Sequence, residues 1–233
     1  MQLPFFYEPS VTASGTQFIL SENTSRHCAQ VLRMREGDKI QLVNGYGLIA
    51  TVVLEVVNKK NTVVSVWETT QQAPPAKQVH IAVSLLKNPG RFEWFLEKAA
   101  EIGVHTITPL ICDRTEKHQF RKDRLENILI SAMLQSRQAY RAQLADLVQF
   151  NAFINQPGSE NKFIAHCESS AKKLLYGFCP LKENALMLIG PEGDFSPAEI
   201  DAALNAGFQP VSLGETRLRT ETAAMYSAVL LSL

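Results

Sequence analysis

Long apolar runs are missing from this chain: nowhere do about 18 apolar residues follow one another, the length at which a membrane-crossing helix is considered. The opening MQLPFFYEPS has neither the basic stretch nor the apolar segment of a secretory signal, so the expected location is cytoplasmic, with no membrane partner. Cysteine is scarce and unpaired in pattern. Cys28, Cys112, Cys167 and Cys179 lie far apart without a C-x-x-C spacing, and the five histidines stand singly. No zinc framework is visible, no metal is expected, and reduced, buried thiols are the default. Net charge is also absent, with 23 basic and 23 acidic side chains, which at first argues against a nucleic-acid partner. The distribution along the chain is uneven, however. Residues 1–70 carry six basic and six acidic side chains, 71–141 eleven and seven, and 142–233 six and ten. A basic middle of this kind can hold phosphates without a high overall pI, although a charge run is more often a solvated face.

What is present is the composition of a folded protein, 45% hydrophobic and 20% charged, enough for two modest cores. Gln71-Gln72-Ala73-Pro74-Pro75-Ala76-Lys77 breaks the pattern, since two prolines preclude a central strand or a helix interior, and the linker is placed at 71–77. Before it, Lys39–Val43 alternates apolar and polar residues. Asn44-Gly45 offers a turn, and 48–57 and 61–67 are rich in β-branched residues, predicting a small β domain over 1–70. One helix interrupts it, capped by Ser21, with Cys28, Val31 and Leu32 at helical spacing. After the linker, strands alternate with helices: strands at 78–86, 106–111, 163–166, 185–189 and 211–213, helices at 89–103, 121–140, 197–207 and 220–233. Asn88, Ser196 (with Glu199 in a capping box) and Thr220 are the expected caps. The alternation predicts an α/β domain over 78–233, a mostly parallel sheet with helices on both faces.

In such sheets ligands bind beyond the carboxyl ends of strands. The loop after Leu186-Met-Leu-Ile-Gly190 reads Gly190-Pro191-Glu192-Gly193-Asp194-Phe195. It lacks both G-x-G-x-x-G and G-x-x-x-x-G-K-[ST], so a dinucleotide or nucleoside triphosphate is not indicated. A second loop, Ser212-Leu213-Gly214-Glu215-Thr216-Arg217-Leu218-Arg219-Thr220-Glu221-Thr222, also follows a strand and opens a helix. No Ser-His-Asp set stands beside either loop. Read alone, each loop is more simply explained as a tight structural turn than as a ligand site, and Glu192 serves a helix cap as readily as a ligand contact.

Taken together, Ile189-Gly-Pro-Glu-Gly193, Leu213-Gly214 and Leu218-Arg-Thr-Glu-Thr-Ala223 resemble the signature of the bacterial 16S ribosomal RNA uridine-N3 methyltransferases of the SPOUT superfamily. Further matches run over nearly the whole chain: His27 with Val31-Leu32-Arg33 and Gly37-Asp38, Lys98-Ala-Ala-Glu-Ile-Gly-Val104, Pro109-Leu110 with Arg114, and Gln135-Ser136-Arg137. The resemblance implies an N-terminal PUA-like β-barrel and a C-terminal trefoil-knotted SPOUT domain. It also implies S-adenosyl-L-methionine as cofactor, a homodimer, and methylation of a uridine of 16S rRNA near the decoding centre of the small ribosomal subunit. Two positions depart from the family pattern. Asp194 stands where a second glycine is usual, and Glu215-Thr216-Arg217-Leu218-Arg219 replaces a more arginine-rich run after proline.

By the same resemblance the cofactor lies among Leu188, Gly190, Pro191, Glu192, Gly193, Leu213, Gly214, Leu218, Thr220, Glu221 and Thr222. Arg219 is the expected catalytic residue: uridine N3 must lose a proton, and a guanidinium stays cationic and offers a planar fork of donors to the resulting charge. Its plain alternative is an ion pair with Glu221 or Glu215. RNA is expected at Arg114, Lys117, Arg121, Lys122, Arg124, Arg137 and Arg141, with Gln135 and Ser136 near the target base, and in the N-terminal domain at His27, Arg33 and Arg35. The rival readings are a SPOUT methyltransferase acting on transfer RNA and a non-catalytic RNA-binding or assembly protein. The basic stripe predicts that RNA association weakens steeply with salt; filter binding across a salt series checks this, and a flat dependence would remove the stripe from the interface.

Overall fold

The computed structural model describes residues 2–13, 17–156, 161–169 and 171–233. They form two compact units, Met1–Pro74 together with Met133–Arg141, and Pro75–Ala132 together with Ala142–Leu233.

The first unit is a five-stranded sheet. Its elements are β1 (Phe5–Tyr7), β2 (Gln17–Ile19), α1 (Glu22–Arg26), β3 (Lys39–Val43), β4 (Leu48–Val56) and β5 (Val63–Gln71), in the sheet order β1-β3-β4-β5-β2. Period-two alternation turns Ile40, Leu42, Ala50, Val52, Leu54 and Val64 into one core with Cys28 and Leu20. Ser21 caps α1 as expected, accepting from the Thr24 N–H, and a π-helical turn, His27–Val31, continues it. The expected strand at 61–67 instead runs through Gln71, into the segment read as linker.

Residues 133–141 group with this unit for a local reason. Gly47 N–H donates to the Ala139 carbonyl at 3.0 Å and Arg141 N–H to the Gly45 carbonyl at 3.0 Å. Gly47 sits at φ +92°, and any Cβ there would collide with the Tyr140 hydroxyl. The long helix expected to reach Tyr140 therefore ends at Gln135, and Arg137 takes a left-handed φ of 55°.

The second unit runs β6 (Val79–Ser84), α2 (Pro89–Glu101), β7 (Thr106–Ile111), α3 (Lys122–Gln135, its last turn belonging to the first unit), β8 (Gln143–Leu144), β9 (Val148–Gln149), α4 (Phe150–Ile154), β10 (Asn161–Ala165), β11 (Lys173–Leu174), β12 (Ala185–Ile189), α5 (Pro197–Asn205), β13 (Gln209–Ser212) and α6 (Thr220–Ser232). The sheet order is β11-β13-β10-β12-β6-β7-β8, with β9 beside β7, and the paired strands are parallel. Both faces are covered. Ile81 and Val83 pack with Phe92, Phe95 and Leu96 of α2, Leu125 and Leu129 of α3, and Ala224, Ala228 and Leu231 of α6. Ala82, Ile164, Leu186 and Leu188 face the other way, against Phe150 and Phe153 of α4 and Ile200 and Ala203 of α5. Burial on two sides is why β12 reads as an uninterrupted apolar run.

Asn88 and the Ser196–Glu199 capping box close their helices as expected. Thr220 does not: the capping position is Arg219, with no side-chain bond to the helix, and Thr220 is the first helical residue. Of the cysteines, Cys28 and Cys112 are buried, Cys179 is half-buried and Cys167 is exposed. Burial, with Glu8 nearby, pushes the Cys28 thiol up to about 11. Among the described residues no helix is long and apolar enough to cross a membrane.

His80 on β6 stands 2.8 Å from the Thr108 hydroxyl, and burial, reinforced by His105, pushes its pKa down to about 4. Unfolded, it protonates near its ordinary 6.5. Between about pH 6.5 and 4 the unfolded chain therefore binds more protons, and stabilisation present above 6.5 is lost as pH falls through that window. Urea midpoints of the intact chain should drop over this range and drop less for His80→Gln; equal slopes would clear His80 of the effect.

Candidate active site

Parallel pairing brings the carboxyl ends of β10, β12 and β13 to one edge. Ala165 pairs with Ile189 on one side and Val211 on the other, so the chain leaves all three strands at the same level. Here a cavity of about 540 Å³ opens. The first predicted loop contributes Gly190, Pro191, Glu192 and Asp194, and the second contributes Ser212 through Thr220. Ala165 at the end of β10 and His166, Cys167 and Lys172 beyond it complete the wall, with Ile189, Val211 and Ala223.

The turn after β12 is held by charged side chains on backbone groups. Asp194 adopts φ 66°, and its carboxylate accepts from the Phe195 N–H at 2.8 Å and the Cys167 N–H at 2.7 Å, tying two walls together. Glu192 accepts from the Lys87 N–H at 3.0 Å; the cap of α5 is left to Ser196 and Glu199. Glu199, only 2% exposed, also accepts from the Asp113 N–H at 2.9 Å. At Gly190 a Cβ would lie 3.0 Å from the Phe195 nitrogen, so the tight turn itself calls for glycine. In the second loop the Ser212 hydroxyl bridges Gly214 N–H and carbonyl at 3.2 and 3.1 Å, and Gly214 takes φ +127°.

Arg219 is exposed on the cavity wall. Among the described residues it makes no ion pair, and the Glu221 carboxylate is met instead by Arg91 Nε at 3.6 Å. Four of the expected ligand residues stand outside the cavity lining. Leu188 is fully buried against the α4 and α5 face, Gly193 packs on Arg114, Glu221 is buried toward Arg91, and Thr222 is exposed on α6. His166, Cys167 and Lys172 are not among the expected site residues: the expected strand extends through His166, whereas β10 ends at Ala165 and a third loop begins there. The Lys172 ammonium donates to the His166 and Glu168 carbonyls at 2.7 and 2.6 Å.

Several residues expected on RNA have structural partners. Arg114 donates to the carbonyls of Gly193 at 2.8 Å and Phe195 at 3.3 Å. Lys122 pairs with Asp146, and Arg124 grips Glu93 at 2.6 and 2.9 Å, holding that carboxyl below its ordinary pKa. Arg124, Lys117 and Arg121 line a second cavity of about 200 Å³ floored by Leu85, Leu86, Phe92 and Leu125. In the first unit Arg137 donates to the Leu3 carbonyl and the Gln41 amide oxygen and lies 4.8 Å from the Phe5 ring centre. Its neighbour Ser136 donates to the Met133 carbonyl at 3.3 Å. His27, Arg33, Arg35 and Gln135 are exposed. Among the described residues no group of three or more His, Cys, Asp or Glu is arranged to hold a metal.

Asp194→Gly tests the turn. Glycine recovers about 1 kcal/mol at positive φ, whereas two hydrogen bonds to a charged acceptor contribute about 1.5–3 kcal/mol each. Lower denaturant stability is the expected outcome, and an unchanged or raised midpoint would show that the carboxylate ties are idle.

Residues 73–232 match the RNA methyltransferase domain model and residues 20–66 the RNA methyltransferase PUA domain. The crystal structure of a "probable rRNA-methyltransferase" from Porphyromonas gingivalis is 36% identical, with a TM-score of 0.90 over 97% of this chain and 96% of that one. Ribosomal RNA small subunit methyltransferase E from Neisseria gonorrhoeae, bound to S-adenosyl methionine, is 29% identical, with a TM-score of 0.84 over 98% and 96%. The Bacillus subtilis protein of the same name is 27% identical over 90% of this chain and 87% of its own length. On the match to the greater part of its length, this chain belongs to the RNA methyltransferase domain family.

Proposed function

We propose that this protein is an S-adenosylmethionine-dependent enzyme that methylates N3 of a uridine of 16S rRNA near the decoding centre, giving N3-methyluridine. The observation that carries the reading is the cavity beyond β10, β12 and β13, with an unpaired cationic Arg219 on its wall. Its size falls within the range of small-molecule sites, and its residues fit the cofactor. Half-buried Leu213, Leu218 and Ala223 offer an apolar wall for adenine. The carboxylates of Glu192, Asp194 and Glu215 complement a sulfonium and an ammonium. The relative from Neisseria gonorrhoeae holds S-adenosyl methionine.

Bound there, S-adenosylmethionine supplies an electrophilic methyl group on a sulfonium. The chain does the rest by positioning and electrostatics. Gly190 to Glu192 and Leu213 to Leu218 fix the ligand between two loops, so the methyl group is aimed rather than free to tumble. Arg219 holds the uracil oxygens as N3 loses its proton, and the developing charge is met by a guanidinium that remains cationic. The target base leaves its stack to reach the cavity. Lys117 and Arg121 beside the second cavity, and His27, Arg33 and Arg35 in the first unit, are placed on RNA phosphates in this reading.

The same reading takes the first unit as a PUA-like β-barrel and the second as a trefoil-knotted SPOUT domain, supported by the PUA match at 20–66 and the family resemblance. A cytoplasmic homodimer acting on the small ribosomal subunit completes it. Exposed Trp94 on α2 and Tyr226 and Val229 on α6 supply apolar surface for self-association.

Arg219→Ala should leave cofactor affinity nearly unchanged and lower turnover about 100-fold or more, read by calorimetry and by mass mapping of methyl groups on small-subunit RNA. An unimpaired rate would exclude Arg219 from the chemistry, and methyl transfer to transfer RNA alone would overturn the substrate.

A further inference from the structure

Past the carboxyl end of β6 the chain runs through Leu85 and Leu86 into α2. With the loop after β7 and the first turn of α3, this segment encloses the second cavity, of about 200 Å³. Its floor is apolar: Leu85, Leu86, Phe92 and Leu125 line it, each at most 6% exposed. Its mouth is exposed and carries three cations, Lys117, Arg121 and Arg124, against the single carboxylate of Glu93. Arg124 spends its charge on that carboxylate, at 2.6 and 2.9 Å. Arg121 is oriented by a neutral group, the Gln119 amide oxygen, which accepts from its Nη2 and Nε at 3.0 and 3.2 Å. Glu116, next to Lys117 in the chain, is taken by Lys87. A surplus of positive charge therefore stands over an apolar hole.

A bare phosphate would leave the floor unmet, and a plain hydrocarbon would leave the cations unmet. A nucleotide answers both, with a base whose faces are apolar and a phosphate one sugar away; single-stranded nucleic acid is commonly held by this pairing of cationic groups with an apolar or aromatic platform. Position ties the cavity to the first one. Ile189 of β12 pairs with Val83 of β6, so these neighbouring strands, about 5 Å apart, end together and both cavities open on the same edge of one sheet. Leu86 lines the second cavity and Glu192 the first, and the two walls are joined where the Lys87 N–H donates to the Glu192 carboxylate at 3.0 Å. An RNA strand with one base in the first cavity has its next nucleotides within reach of the second.

We propose that the second cavity takes an unstacked base flanking the target uridine, with the phosphate of that nucleotide on Lys117 and Arg121. The proposal rests on the methyltransferase reading of the first cavity. The leucine and phenylalanine side chains of the floor offer no hydrogen bonds, so the cavity registers that a base is present and anchors the strand while the target enters beside Arg219.

Once mass mapping has located the methylated uridine, oligonucleotides of that segment carrying 4-thiouridine at single positions, photo-cross-linked to the full chain with S-adenosylhomocysteine present, test the assignment. A label at the target should mark the loop after β13, and a label at one flanking position should mark Leu86, Phe92 or Leu125. Leu86→Phe, which fills the cavity, should erase the flanking cross-link alone and weaken RNA binding about tenfold, with thermal melting to confirm that it is folded. Lys117→Glu, an exposed change that leaves the packing alone, should weaken binding and reduce the same cross-link. If the target label reaches the first cavity and no flanking label reaches the second, the proposal is overturned and the methyltransferase reading stands. A folded Leu86→Phe protein with unchanged affinity and cross-links overturns it as well. So does a change of oligomeric state in that variant without RNA, which would give the cavity to a second copy of the chain. A target label that never reaches the first cavity removes the active-site reading and the flanking-base assignment together.

Discussion

Three parallel strands, β10, β12 and β13, stop level with one another, and the candidate site depends on that shared register. The pairing of Ala165 with Ile189 and with Val211 delivers three loops to one place. A slip of one residue would move alternate side chains to the opposite face. Register is secured by burial on both sides of the sheet: Phe163 and Met187 pack toward α2 and α6, Ile164 and Leu188 toward α4 and α5. Close-packed interiors of this kind resist displacement, so irregular loops can be carried by a stiff base.

Above that base the loops have little regular structure, and side chains on backbone groups replace the missing ladder. Asp194, Glu199, Lys172 and Arg114 each engage N–H or carbonyl groups of a turn. Charge-assisted bonds are shorter and stronger than neutral ones. The arrangement accounts for an aspartate where relatives are expected to carry glycine. Asp194 tolerates the left-handed backbone and also supplies two acceptors that glycine lacks.

Much of this was legible in advance. The strand and helix alternation after residue 78, the two loops after β12 and β13, and the Ser196–Glu199 capping box follow from hydrophobic period and local chemistry. What was not legible depends on contacts far apart in sequence. The end of α3 at Gln135 is decided by Gly45 and Gly47, nearly a hundred positions earlier. The carbonyls that Arg114 and Arg137 engage are likewise invisible in a sequence, which shows the charge alone. The apolar pattern over 163–166 extends the expected strand through His166, whereas β10 ends at Ala165. Short edge strands such as β8, β9 and β11, two residues each, have too little pattern to be seen.

The grouping of Met133–Arg141 with the N-terminal sheet has a consequence for how the polypeptide reaches its final form during synthesis. The backbone leaves the first unit at Pro74, builds part of the second, returns, and leaves again at Arg141. The sheet bearing Gly45 and Gly47 therefore waits for its last segment until residue 141 has emerged from the ribosome, by which time β6, β7 and most of α3 are already free to collapse. Such interleaving raises the sequence separation of native contacts, and with it the cost of closing the chain before they form.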